Sequence, residues 1–107
     1  MSPSEYEARY NAIFDLVKRE FRIFRRLRDG TIIASDKDRQ LVFTFCDDVF
    51  LLGHGITSGC VIYDKHNPAW CRVVLFPIAN RLLTVSDVTK FMTGFIKDWR
   101  KTVSGAI

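Results

Sequence analysis

No stretch of this chain is apolar for long enough to cross a bilayer, which takes about 18–20 residues. The longest apolar run, residues 73–79, is interrupted by Pro77. A helical membrane protein is excluded on that reading, and a soluble one is expected. A secretory leader is also missing. The first thirty residues are acidic, aromatic and basic in turn, with no apolar stretch leading to a small-residue cleavage site, so the default address is cytoplasmic. Cysteine is scarce and oddly numbered: Cys46, Cys60 and Cys71 include no CxxC pair. That argues against a disulfide framework and fits a reducing compartment, with each thiol packed as a small hydrophobe.

What is present is a globular composition. Of 107 residues, 48% are hydrophobic and 26% charged, which rules out the low-hydrophobicity signature of a disordered chain. One α+β domain, 1–107, with one core is expected.

Ser2-Pro3-Ser4-Glu5 is a capping box with proline at the first helical position, so a helix begins there. Neither glycine nor a further proline occurs until Asp29-Gly30, which reads as its stop. A continuous helix over 3–29 would run about 40 Å, longer than the ~30 Å body of such a domain, so it must project or bend. Its apolar face carries Tyr10, Ile13, Phe14, Val17, Phe21 and Phe24.

After Gly30 the period shortens. β-branched and aromatic runs at 31–35, 41–46, 49–53, 60–63 and 69–76 read as strands, and the short turn-rich separators between them imply an antiparallel meander of four or five. A second capping signal, Thr84 with Asp87, opens a helix on which Val88, Phe91, Met92, Phe95, Ile96, Trp99 and Val103 recur at helical spacing. Both helices are placed on one face of the sheet. Strands 41–46 and 69–76 are apolar on both sides, which implies a homodimer, another partner, a curled sheet around a pocket, or a sheet wrapped strongly around its helices.

The net charge of +4 is concentrated: residues 18–28 hold six basic and one acidic residue, leaving the remainder slightly acidic. Lys18, Arg19, Arg22, Arg25 and Arg26 form a basic stripe that could meet an acidic protein surface or the phosphates of a nucleic acid. No helix-turn-helix, RNP motif or GxxG clamp accompanies it. Gly53-His54-Gly55-Ile56-Thr57-Ser58-Gly59 resembles a phosphate loop only superficially, because a strand comes after it and the Walker lysine is missing; a flexible hairpin connection is expected. Cys46, His54, Cys60, His66 and Cys71 lack the close ligand pairs of a zinc site, so no metal and no cofactor is expected. Asp47 and Asp48 read as a turn pair. Trp70 and Trp99 are core anchors or interface hot spots.

The leading expectation is a non-enzymatic protein-binding module, homodimeric, of the adaptor, inhibitor, immunity or chaperone-like kind, using Lys18, Arg19, Arg22, Arg25, Arg26 and Trp70 toward its partner. Nucleic-acid binding through the basic stripe is the alternative. A third reading is a ligand or enzymatic pocket between sheet and helices, near Cys46, His54 and Cys60.

Overall fold

Ser2 starts the first helix, α1 (Pro3–Glu20), through a reciprocal pair of bonds: its Oγ accepts the Glu5 amide at 3.3 Å, and the Glu5 carboxylate accepts the Ser2 amide at 3.3 Å. The computed structural model describes residues 2–51 and 55–105, with side chains described for 2–46 and 58–102. The helix predicted over 3–29 ends at Glu20, where Phe21 turns extended (φ −128°, ψ 139°) while its amide still bonds the Val17 carbonyl. Leaving the helix lets Phe21 drop into the core beside Trp99, with ring centroids 6.1 Å apart, instead of projecting past the body.

The chain then enters a strand, β1 (Ile23–Arg26), because Phe24 and Arg26 alternate toward the helices while Ile23 and Arg25 face away. Asp29-Gly30, with the chemistry of a helix stop, is the hairpin turn after it: Gly30 takes φ +94° and the Asp29 carboxylate accepts the Thr31 amide at 3.0 Å.

β2 (Ile32–Asp36), β3 (Arg39–Leu51), β4 (Gly55–Asp64) and β5 (Cys71–Leu75) complete a five-stranded antiparallel meander in the order β1-β2-β3-β4-β5. The two strands predicted at 41–46 and 49–53 are one. Asp47-Asp48 is a bulge, the pairing with β4 shifting by one residue between Cys46 and Val49. Residues 52–54, and with them His54, lie outside the described residues, whereas 55–59 belong to β4 and not to a loose connection. A small hairpin, β6 (Pro77–Ile78) and β7 (Arg81–Leu82), turns through Ala79 and Asn80 at positive φ. The last helix, α2 (Val85–Gly105), starts at the predicted capping pair, the Asp87 amide donating to Thr84 Oγ1 at 3.0 Å.

Both helices cover one face of the sheet. Ile13, Leu16 and Val17 of α1 and Val88, Met92, Ile96 and Trp99 of α2 close over Ile32, Ala34, Leu41, Phe43, Cys60, Ile62 and Val74. The opposite face carries the alternate residues. One register row across it runs Arg25, Ile33, Val42, Tyr63, Cys71, and Ile33 and Val42 are buried there outside the main core.

Polar ties lock the frame. Arg9, buried, donates to the carbonyls of Leu83 and Glu5. Arg100 joins Glu20 and Asp36 and stands over the Phe21 ring. No described helix is long and apolar enough to cross a membrane.

Candidate protein-docking edge

The change of α1 into β1 breaks up the basic stripe. Lys18 and Arg19 are exposed in the last turn of the helix, Lys18 paired with Asp15 at 3.2 Å and Arg19 reaching Glu20 at 4.0 Å. Arg22 is exposed in the bend. Arg25 and Arg26 sit on opposite faces of β1, and the Arg26 guanidinium stands 4.7 Å from the centroid of Phe14, whose ring Lys18 also approaches. The cations therefore wrap around the β1 edge of the sheet and do not form one plane.

Beside that edge lies an open groove of about 730 Å³ between the start of α1, the β1–β2 turn and the inner face of β3. Tyr6, Tyr10 and Phe45 supply its aromatic surface, and Arg26 and Arg28 are offset by Glu7 and Asp29. Tyr10 donates to the Gly30 carbonyl at 2.7 Å and packs on Phe45 with centroids 4.4 Å apart. Burial pushes the Tyr10 hydroxyl above its ordinary range, against the lowering influence of Arg26. The tyrosine thus serves to hold the turn.

Of the residues of the pocket reading, the two that are described, Cys46 and Cys60, do not converge. Cys60 is sealed in the core, where burial pushes its thiol well above the ordinary range. Cys46 is exposed on the far side of β3. Among the described residues no group of three or more His, Cys, Asp or Glu could hold a metal ion. Trp70 is 7% exposed within the core cluster, with Arg72 4.8 Å above its ring and its own indole N–H buried without a hydrogen-bond partner.

The other edge of the sheet is different in kind. The Asp64 amide bonds the Trp70 carbonyl and the Phe76 amide bonds the Ser58 carbonyl. Hydrogen-bonding direction alternates along a strand, so Arg72 and Val74 also address β4. The backbone groups of Cys71, Val73 and Leu75 consequently face outward, where the Cys71 carbonyl accepts from Arg72 Nη1 at 2.9 Å. Along this open edge runs an apolar groove of about 260 Å³, walled by Val73, Val74, Leu75, Ile78, Leu83, Phe91 and Phe95. Val73 is 51% exposed, Phe91 48% and Ile78 42%.

An outermost strand flanked by an apolar trough has the geometry for strand addition: the outward backbone groups of Val73 and Leu75 supply directional bonds, and alternate side chains of an incoming segment enter the trough. Sequence reasoning does not reach this edge. The doubly apolar strand 69–76 is the available signal, but which strand ends the sheet is a property of strand order. No family model, curated protein or solved structure matches the chain.

Proposed function

We propose that this chain is a non-enzymatic protein-binding module whose contact surface is the β5 edge and the groove beside it. The observation that carries the reading is the contrast between the two edges of one sheet. β1 is bordered by Arg22, Arg25, Arg26 and Arg28, and charged side chains on an edge strand discourage pairing with another chain. β5 carries one charge, Arg72, directed to the α2 side against Asp98 at 3.5 Å, and leaves Val73 and Leu75 at the open edge. An exposed apolar edge is an aggregation hazard unless a partner covers it. In this reading the arginines fence off one edge and leave the other for the partner.

The test is site-specific photo-cross-linking in the cell that makes the protein, with a benzophenone amino acid at position 91 in the groove and, as control, at position 38 in the β2–β3 turn. A discrete protein adduct from position 91 and none from 38 supports the reading. No protein adduct at 91, with nucleic acid captured by the same probe at 22 or 25, replaces it with the nucleic-acid alternative.

A further inference from the structure

β1 runs back along α1, and the side chains between them form a continuous seam. Phe24 meets Phe14 with ring centroids 5.9 Å apart, and Gly30 accepts from Tyr10, so the chain from Phe21 to Gly30 passes successively earlier turns of α1. Cations follow the seam from end to end. Arg22 is exposed in the bend that opens it. Lys18 from α1 and Arg26 from β1 both stand at the Phe14 ring. Arg28 lines the groove at the far end, beside Tyr6, Tyr10 and Phe45. Arg22, Arg26 and Arg28 form no ion pair among the described residues. The pair of Lys18 with Asp15 is exposed on both sides and holds the lysine weakly. Arg25, on the opposite face of β1, is not part of the seam.

A row of unneutralised cations beside open aromatic rings is the combination that holds single-stranded nucleic acid: arginines take phosphates in bidentate bonds, and every base has a face that stacks on a ring. Three features favour this over other polyanions. Tyr6 and Lys18 lie about 18 Å apart along α1 at 1.5 Å per residue, so charge and rings extend over more than one nucleotide. The cations wrap around the sheet edge, which does not suit the flat surface of an anionic bilayer. An acidic peptide would use the cations and leave the rings without a partner. Glu7 and Asp29 also line the groove and repel a phosphate inside it, so a base enters the groove and the phosphates stay along β1.

Independently of the β5 edge, we propose that the seam between α1 and β1 binds single-stranded nucleic acid, with Lys18, Arg22, Arg26 and Arg28 on its phosphates and a base seated on Tyr6, Tyr10 and Phe45. The chain then carries two contact surfaces at opposite edges of one sheet. The arginines that keep other strands off β1 are those that hold the phosphates.

The experiment is fluorescence anisotropy of labelled oligothymidylate and oligouridylate titrated with the full chain across a salt series. Duplex DNA and polyglutamate serve as competitors, and circular dichroism is recorded on each variant. Wild type should bind with a Kd on the order of 10 µM at low salt, and log K should fall against log salt with a slope of about −3, as for four phosphate contacts on a single strand. A preference for one of the two backbones identifies DNA or RNA as the source. Arg22→Gln, Arg26→Gln and Arg28→Gln should each weaken binding severalfold and flatten the slope by about 0.7. Arg25→Gln should leave affinity within about twofold of wild type. Tyr6→Leu should weaken binding about tenfold at unchanged slope, through loss of stacking. If Tyr6→Leu fails to fold, the glutamine variants still decide.

No binding of either oligonucleotide at low salt overturns the proposal. Polyglutamate competing as well as unlabelled single strand also overturns it and makes this edge a site for acidic protein, and duplex competing better than single strand removes the role of the rings. Equal losses from Arg25→Gln and Arg26→Gln overturn the seam as the site, since the charges would then act as one diffuse field.

Discussion

The indole N–H of Trp99 donates to Asp64 Oδ2 at 2.8 Å, tying the middle of α2 to the turn that leads into β5. Asp64 is nearly inaccessible, and its carboxylate also accepts from Arg39 at 2.7 Å and from the amides of His66 and Asn67. Arg39 lies over the Trp99 ring at 4.3 Å, so indole, guanidinium and carboxylate close on one another. The position of the β5 edge relative to the α2 groove depends on this knot.

Asp64 makes stability depend on acid. Burial would raise its carboxyl, but the bonds from Trp99, His66 and Arg39 outweigh that and hold it below its ordinary value of 3.8. A depressed folded-state value gives stabilisation that is full above the unfolded-state value and lost as pH falls through the folded one. Urea midpoints should therefore fall below about pH 4 in wild type, and less steeply in Asp64→Asn. At pH 7, Asp64→Ala should cost about 3 kcal/mol, because it strands buried donors. Parallel acid profiles of wild type and Asp64→Asn would show that this carboxylate is not the group responsible.

The two tryptophans should respond differently to loss of their N–H. Trp99→Phe removes a made bond and leaves a smaller ring in a fully buried site, at a cost of about 2 kcal/mol or more. Trp70→Phe removes an N–H that has no partner, so part of the packing loss is recovered and the net change stays within about 1 kcal/mol. Chemical denaturation of both variants reads the difference, and equal losses would contradict the assignment of the buried bond.

Gly59 is needed where β4 lies tight against β5. A Cβ there would lie 2.5 Å from the Val74 carbonyl oxygen, backbone that cannot give way cheaply. Gly59→Ala should destabilise by about 1–3 kcal/mol, whereas Gly94→Ala should stabilise the isolated fold by up to about 1 kcal/mol. Thermal melts that shift in the same direction for both would refute the distinction.

The arginines around β1 should separate into packed and solvated. Arg22→Glu and Arg25→Glu are expected to leave stability within about 0.5 kcal/mol. Arg26→Glu should lose up to about 1 kcal/mol through its contact with Phe14. Equal effects at all three would mean that β1 does not present alternate faces as described.

The fold is largely legible in the sequence because its two helix starts and four of its strands carry strong local signals. The first helix reads too long for a physical reason: Phe21 and Phe24 fit a helical face as well as a strand, and Asp29-Gly30 serves equally as a helix stop and a hairpin turn. Asp47-Asp48 has turn chemistry but accommodates a bulge within one long strand. The candidate site is legible only in its ingredients. Val73, Ile78 and Phe91 are separated along the chain, and the groove exists because strand order leaves β5 outermost and α2 runs beside it.

The most direct test of the docking edge is the position-91 cross-link repeated in chains carrying Val73→Pro or Val74→Pro. The Val73 amide faces outward, so proline there should leave the fold close to wild type, whereas at Val74 it removes a bond to β4 and should cost about 3 kcal/mol. The expected result is that Val73→Pro abolishes the adduct while the melting transition is retained. An adduct of undiminished yield from a folded Val73→Pro chain would contradict strand addition at β5.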